Sequence, residues 1–302
     1  MMHRLKVGLE WFLNPDHVPF LVAEELGYFA EAGLEVELVE PQEHLDAIEA
    51  IQSGELDVAI TEPLHLVEDR AEGHPVVGFA RFLHTNGGVM YLEGGGIERP
   101  RDMVGCRMQY PGAPGPGGPA IVGTMIEADG GTYDPDGFER VNNGFYHTDA
   151  LLEGKADVAT LVFYNFEILE AKSKGLPARF FALKDWGVPD FCQLILITSE
   201  EIYREREGQL RGLLKGLNRG LDVLHQDPER ARAIYFERVS SEDKGLMSAI
   251  FDATVPCFTF DMSMSSEYYE ELSAWLVERG LIGGEVRPES CWSNQLVRGT
   301  RS

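Results

Sequence analysis

AIQSGELDVAI, from Ala50 to Ile60, and ALLEGKADVAT, from Ala150 to Thr160, decide the fold. Each reads Ala, two apolar or amide positions, a variable one, Gly, two variable positions, then Asp-Val-Ala, and the copies stand 100 residues apart (150 − 50). In each, a helix ends at Gly and a short apolar strand follows, because Gly accepts the left-handed conformation that closes a helix. Two such units predict two lobes built alike, with a cleft between them of the kind that holds a small ligand. Any two helix–Gly–strand units share some of this pattern; the length of the match separates a repeat from a coincidence.

The same grammar extends outward. Leu5 to Leu9 reads as a buried strand. Pro19 to Tyr28 reads as a helix, with Phe20, Leu21, Ala23 and Leu26 at helical spacing and Gly27 at its end. Leu34 to Val39 alternates apolar and acidic residues, as a strand with one wet face does. Leu45 to Gln52 is the next helix and Val58 to Ile60 the next strand, so the order is β-α-β-α-β, that of a parallel sheet with covering helices. A second cycle runs through a strand at Arg107 to Tyr110, a Pro/Gly loop at Pro111 to Pro119 and a helix at Ala120 to Ala128. Phe191 to Thr198 is a later strand, followed by helices at Glu200 to Gln226, Pro228 to Arg238 and Ser265 to Gly280. The expected class is α/β, two similar lobes, each a mostly parallel sheet with helices on both faces. Residues 1–92 and 187–302 form a discontinuous first lobe, and residues 93–186 an inserted second one. Gly and Pro in Tyr91 to Pro100 and in Lys184 to Pro189 suit hinges at the two crossings.

At 302 residues the chain has room for two domains, and 44% apolar with 25% charged residues is ordinary for a globular protein. A net charge of −24 disfavours nucleic acid and anionic membranes, which carry the same sign. It is equally a solubility or salt adaptation, and it does not forbid an anionic ligand held by local donors. Cys106, Cys192, Cys257 and Cys291 include no C-x-x-C spacing, so they read mostly as small buried apolar residues. No apolar run approaches the roughly 18 residues of a membrane span. MMHRLKVGLEW enters a strand directly, without the segments of a signal peptide. The expectation is a cytoplasmic protein, or a periplasmic or extracellular one if a signal was removed.

Ligands of open α/β sheets sit beyond the C-terminal ends of strands, and that rule selects the candidates. After the first strand come Glu10, Trp11, Asn14 and His17; after the first repeat copy come Thr61, Glu62 and His65. Tyr110 and the Gly/Pro loop follow the second lobe's first strand, and Tyr164, Asn165 and Glu167 follow the second copy. Trp186, Asp190 and Cys192 stand at the second crossing. Trp11 suits stacking on a flat heterocycle and suits packing under its loop equally well. Asp16 reads as a helix cap and His17 as a surface loop residue. His65 can shuttle a proton or bond a ligand, or be a satisfied polar group at a helix start. The N–H groups of Gly112 to Gly118 favour an anion at a helix start, but Pro114, Pro116 and Pro119 each remove a donor. No H-E-x-x-H or Cys/His cluster exists, so no metal site is expected.

The stretch WFLNPDHVPFLVAEELGYFAEAGLEVELVEP resembles the start of the pyrimidine-binding and pyrimidine-synthesising proteins of thiamine metabolism. The shared features are Trp11, Pro15, His17, Pro19, Gly27-Tyr28-Phe29 and Gly33-Leu34-Glu35-Val36; SGELDVAI (Ser53 to Ile60) and SNQLV (Ser293 to Val297) also fit. The resemblance implies a two-lobed periplasmic-binding-protein type II-like fold. It covers two kinds of protein: the solute-binding component of an ABC importer, and a cytoplasmic synthase of hydroxymethylpyrimidine phosphate. That synthase consumes pyridoxal phosphate and its own His, with iron. Its pyridoxal-binding Lys falls at Thr61, its His at His65, its cysteine cluster at Val188 to Cys192, and its phosphate loop at Gly112 to Gly115. Thr61 cannot form a Schiff base, and a single Cys is a poor iron site.

The function expected is therefore binding of a small aromatic nitrogen heterocycle, thiamine-pyrimidine-like, phosphorylated or not. Its partner would be an ABC permease, and it would need no cofactor. Trp11 and Tyr164 would stack on the ring, and Asn14, Glu62, Asn165 and Asp190 would pair with its nitrogens. His17, Thr61, Tyr110, Gly112, Gly115, Trp186 and Cys192 complete the expected lining. The alternative is a synthase-like or decarboxylase-like enzyme using His65, with pyridoxal phosphate and iron as cofactors in the synthase case.

Overall fold

The computed structural model describes residues 2–41, 47–111, 113–240 and 243–300. The start expected for the helix at Leu45, and Gly112, lie outside the described residues. The chain forms two compact units. Unit 1 is Met1–His84, Gln193–Ala274 and Ile282–Ser302; unit 2 is Thr85–Cys192 and Trp275–Leu281.

Unit 1 holds β1 (His3–Gly8), β2 (Leu34–Val39), β3 (Val58–Thr61) and β4 (Val76–His84). Unit 2 holds β5 (Gly87–Leu92), β6 (Arg107–Gln109), β7 (Glu139–Val141), β8 (Val158–Phe163) and β9 (Ala178–Ala182). The chain then returns to unit 1 with β10 (Gln193–Ser199). The first sheet has the order β2-β1-β3-β10-β4 and the second β7-β6-β8-β5-β9.

Each order repeats one plan. In unit 1, β1 runs parallel to β2 and β3, while β10 pairs antiparallel with β3 and β4. In unit 2, β6 runs parallel to β7 and β8, while β5 pairs antiparallel with β8 and β9. The sheets are thus mixed rather than mostly parallel. In each unit the antiparallel partner of the repeat strand enters after a crossing, and short-range pattern does not report its direction.

The repeat is structural down to its hydrogen bonds. Gly54 and Gly154 both have positive φ (76° and 66°). Their N–H groups donate to Ile51 O and Leu151 O, both at 3.1 Å, and the Leu56 and Ala156 N–H groups donate to Ala50 O and Ala150 O. Asp57 N–H donates to Lys6 O (3.0 Å), and Lys6 N–H donates back to Asp57 Oδ2 (2.8 Å). Asp157 N–H donates to Arg107 O (2.8 Å), and Arg107 N–H donates back to Asp157 Oδ2 (2.8 Å). The Asp of Asp-Val-Ala therefore clamps the start of each repeat strand to the parallel strand beside it.

The unit boundary falls at 84/85 and 192/193, not at 92/93 and 186/187. β5 is paired on both edges within unit 2, and Thr85 N–H donates to Cys192 O (3.0 Å). Trp275–Leu281 joins unit 2 because Trp275 Nε1 donates to Thr124 Oγ1 (3.1 Å) and Arg279 to Glu127 (2.6 Å). The expected helix Glu200 to Gln226 is two, Glu200–Glu205 and Glu207–Gln226. They break at Arg206 (φ −117°, ψ 28°), whose guanidinium reaches Asp57 and Arg4 O. The longer helix packs closely on the helix Val18–Glu25 within unit 1: a Cβ on Gly220 would stand 2.1 Å from Pro19 O. Among the described residues no helix is long and apolar enough to cross a membrane. All four cysteines are free thiols, and Cys106, Cys192 and Cys291 are buried.

Candidate functional site

In unit 1 the C-terminal ends of the parallel strands β1, β2 and β3 open onto Leu9–Asn14, Glu40 and Glu62. Asn14 caps the 3-10 turn Pro15–His17: its Oδ1 accepts from Asp16 N–H (2.8 Å), and its Nδ2 donates to Phe12 O (3.0 Å). The cap is Asn14, not Asp16, since Asn14 has the extended backbone that lets a side chain fold back over the turn.

His17 is fully buried, not a surface residue. Its Nδ1 accepts from Asn14 N–H (3.2 Å), which leaves the proton on Nε2, facing both Glu10 oxygens at 3.1 Å. Burial alone would lower the His17 pKa; the Glu10 charge and hydrogen bond outweigh it and move the pKa upward. Glu40 Oε2 accepts from Leu13 N–H (2.8 Å), tying the exits of β1 and β2 together. On that loop Trp11 is half-buried, 4.3 Å from Phe12, and Phe12 is 40% exposed.

Thr61 closes β3, opposite Ile195 of β10, and is buried. Glu62 starts the helix Pro63–Ala71. His65, one turn on, lies between two carboxylates: Nε2 is 3.2 Å from Glu62 and Nδ1 3.4 Å from Glu68. Burial opposes its charge, but the two partners win, and its pKa is pushed up to about 10. At neutral pH His65 is thus an imidazolium, a poor base and a ready donor.

In unit 2, Tyr110 is buried beneath the Gly/Pro loop and its hydroxyl donates to Gly115 O. Arg140 donates to Pro114 O (2.6 Å) and Asn142 to Ala113 O (3.2 Å), so the loop is held by its own carbonyls. The helix Gly117–Ala128 follows without a side-chain cap. Cys192 is fully buried, its Sγ filling the space where a Cβ on Gly87 would stand. Trp186 is half-buried, 6.3 Å from Phe181, which stacks on Tyr91 at 4.4 Å. Asp190 is half-buried.

At the exit of β8, Tyr164 is 48% exposed and edge-on to Phe180. Buried Asn165 accepts from the Thr85 hydroxyl (2.6 Å). β8 is bulged just before this exit: Thr160 and Leu161 face the single residue Val89, and Leu161 has φ 59°. A bulge bends its strand and re-aims the residues beyond it, here Phe163 and Tyr164.

Two residues next to these went unselected in sequence. His147 is buried, with Nδ1 on Gln109 Oε1 at 2.5 Å and Nε2 3.9 Å from Glu167. Burial pushes its pKa down to about 4, so it is neutral. Tyr146, before it at the exit of β7, is 66% exposed. The signal for both was the aromatic run Phe145-Tyr146-His147 just ahead of the second repeat helix. Of the residues selected in sequence, Trp11, Asn14, His17, Thr61, Glu62 and His65 fall within unit 1, and Tyr110, Gly115, Tyr164, Asn165, Trp186, Asp190 and Cys192 within unit 2.

Among the described residues, the exposed large apolar side chains are Met2, Phe12, Val104, Tyr146, Leu152 and Tyr164. Phe12, Tyr146 and Tyr164 stand at the C-terminal exits of β1, β7 and β8, and they are all the aromatic rings of the set.

The NMT1/THI5-like family model matches residues 14–231. The formylaminopyrimidine-binding protein of Halalkalibacterium halodurans is 26% identical over 97% of this chain and 90% of its own. The 4-amino-5-hydroxymethyl-2-methylpyrimidine phosphate synthase of Legionella pneumophila is 25% identical over 98% of this chain and 93% of its own. Among solved structures, the periplasmic aliphatic sulphonate-binding protein of Escherichia coli superposes with a TM-score of 0.73. It is 12% identical, over 96% of this chain and 92% of that one, a likeness of fold alone.

Proposed function

The chain belongs to the NMT1/THI5-like family, and from that premise we propose that it binds a small, flat nitrogen heterocycle of the thiamine-pyrimidine class. The observation that carries this reading is that each unit taken by itself exposes aromatic rings at strand exits: Phe12 in unit 1, and Tyr146 and Tyr164 in unit 2. A planar heterocycle covers such rings by stacking on them. Trp11 stands beside Phe12 and adds a second face. Polar groups near these exits are Glu62 and His65 in unit 1, and Asn165 and Asp190 in unit 2. The name of the Halalkalibacterium halodurans relative supports the ligand class.

The protein serves as the solute-binding component of an importer, with an ABC permease as its partner, outside the cytoplasm. That the Escherichia coli fold neighbour is a periplasmic protein supports that placement over the cytoplasmic expectation. It works without a resident cofactor. Thr61 offers a hydroxyl where pyridoxal phosphate needs an amine, and Cys192 is packed against Gly87 instead of facing an iron site.

Differential scanning fluorimetry tests the reading. Formylaminopyrimidine or hydroxymethylpyrimidine at saturation raises Tm, since a ligand that binds only the folded chain stabilises it. Absence of any shift with both rules out the ligand class. Incubation with pyridoxal phosphate and ferrous iron leaves the mass of the His65 peptide unchanged; a changed mass restores the synthase reading.

A further inference from the structure

Unit 1 contains a cavity of about 330 Å³ that shares no lining residue with the strand exits. Phe260, Met262 and Val297 line it with apolar surface, together with Asn218, Asp261 and Thr300. Its walls are built in. Arg211 donates to Leu296 O and Arg298 O (3.2 Å each), pinning the segment that carries Val297 and Thr300. On the other side, the His225 ring lies 4.1 Å from that of Phe260.

Asn218 sits on the helix Glu207–Gln226 and is 5% exposed. The Thr300 hydroxyl donates to Val297 O (2.8 Å), so its oxygen is left to accept from Asn218 Nδ2 (3.1 Å). That fixes the orientation of the amide. Its Oδ1 is then a buried acceptor with no hydrogen-bond partner among the described residues. Asp261, whose side chain is 69% exposed, adds a carboxylate that accepts from Ser263 N–H (3.0 Å) and pairs with Arg81 at 3.8 Å. The polar groups at the cavity are therefore acceptors, the unpartnered Asn218 Oδ1 and a carboxylate shared with Arg81, beside an aromatic face. Such a set favours a donor-bearing cation and repels an anion.

The geometry points to a second small-molecule site here, for a single-ring organic ammonium compound whose N–H donates to Asn218 Oδ1 while its ring lies against Phe260 and Met262. The volume suits such a ligand. The site is separate from the strand exits and does not depend on what binds there.

Isothermal titration of the full chain at pH 7 with benzylamine, and with benzoate as its charge-reversed counterpart, tests the site. Benzylamine binds saturably at one site and benzoate does not. Asn218→Leu weakens benzylamine by about tenfold or more, the loss expected of one hydrogen bond to a charged group. Asp261→Asn, an exposed change that leaves folding intact, weakens it about three-fold. Val297→Phe, which fills the cavity, abolishes binding while Tm stays near that of the parent. No binding of benzylamine at 10 mM, on the order of the weakest useful affinity, overturns the proposal. Equal binding of benzoate, or benzylamine affinity unchanged in both Asp261→Asn and Val297→Phe, overturns it as well.

Discussion

Asp157→Ala removes the clamp of the second repeat, and its cost can be worked from the structure. The carboxylate accepts the Arg107 N–H at 2.8 Å and the Arg107 guanidinium at 2.6 and 3.2 Å. A charge-assisted bond to a backbone donor contributes about 1.5–3 kcal/mol. The guanidinium pair adds under about 1 kcal/mol, because Arg107 and Asp157 are 39% and 37% exposed and water screens them. The expected loss is about 2–3 kcal/mol for Ala. Asp157→Asn, which keeps an acceptor for the N–H, loses about 1 kcal/mol or less. Urea unfolding followed by Trp fluorescence reads this, since Trp186 and Trp275 both report unit 2. Acidity provides a second readout. The Arg107 hydrogen bond holds the Asp157 carboxyl below its ordinary pKa. A depressed carboxylate adds stability above its unfolded-state pKa and loses it as pH falls through the folded-state value. The gap between parent and Asp157→Ala is thus full at pH 7 and shrinks in acid. Equal costs for Ala and Asn, or a gap that persists at the acid end, would refute the clamp.

Further outcomes follow from the same geometry. Asp57→Ala destabilises unit 1 measurably in the same urea assay, since Asp57 makes the equivalent bond to Lys6 N–H. Tyr164→Ala weakens pyrimidine binding by about tenfold, roughly one stacking contact, with little change in Tm because the ring is half exposed; undiminished affinity removes Tyr164 from the site. His65→Gln is most destabilising at or below pH 6.5, and its difference from the parent fades as pH rises toward about 10, because a raised pKa supports folding only while the proton stays on; a pH-independent difference contradicts the Glu62–His65–Glu68 arrangement. Gly220→Ala costs about 1–3 kcal/mol by overpacking, since its Cβ would meet Pro19 O; a neutral effect in thermal melts contradicts the close helix approach.

Local chemistry was legible in the chain itself. The repeat identified β3 and β8 as equivalent strands, and both take the middle place of their sheets. Helical spacing in Phe20, Leu21, Ala23 and Leu26 found the helix Val18–Glu25, and Trp11, Glu62, His65 and Tyr164, selected as strand-exit residues, do lie just beyond β1, β3 and β8. These depend on neighbours within a few residues, which a sequence displays directly. Only tertiary structure decided which side chains are exposed or spent. His17 looks like any loop histidine until Glu10 and the Asn14 N–H enclose it. His147 is neutral because the fold buries it, and the partner of its Nδ1, Gln109, stands 38 residues away in the chain. Cys192 is core because it fills the space beside Gly87. The crossing of β5 and β10 into their sheets was equally hidden. Pairing between strands this distant in sequence leaves no periodicity behind, because it is selected by the packing of whole sheets and not by the pattern within any one strand.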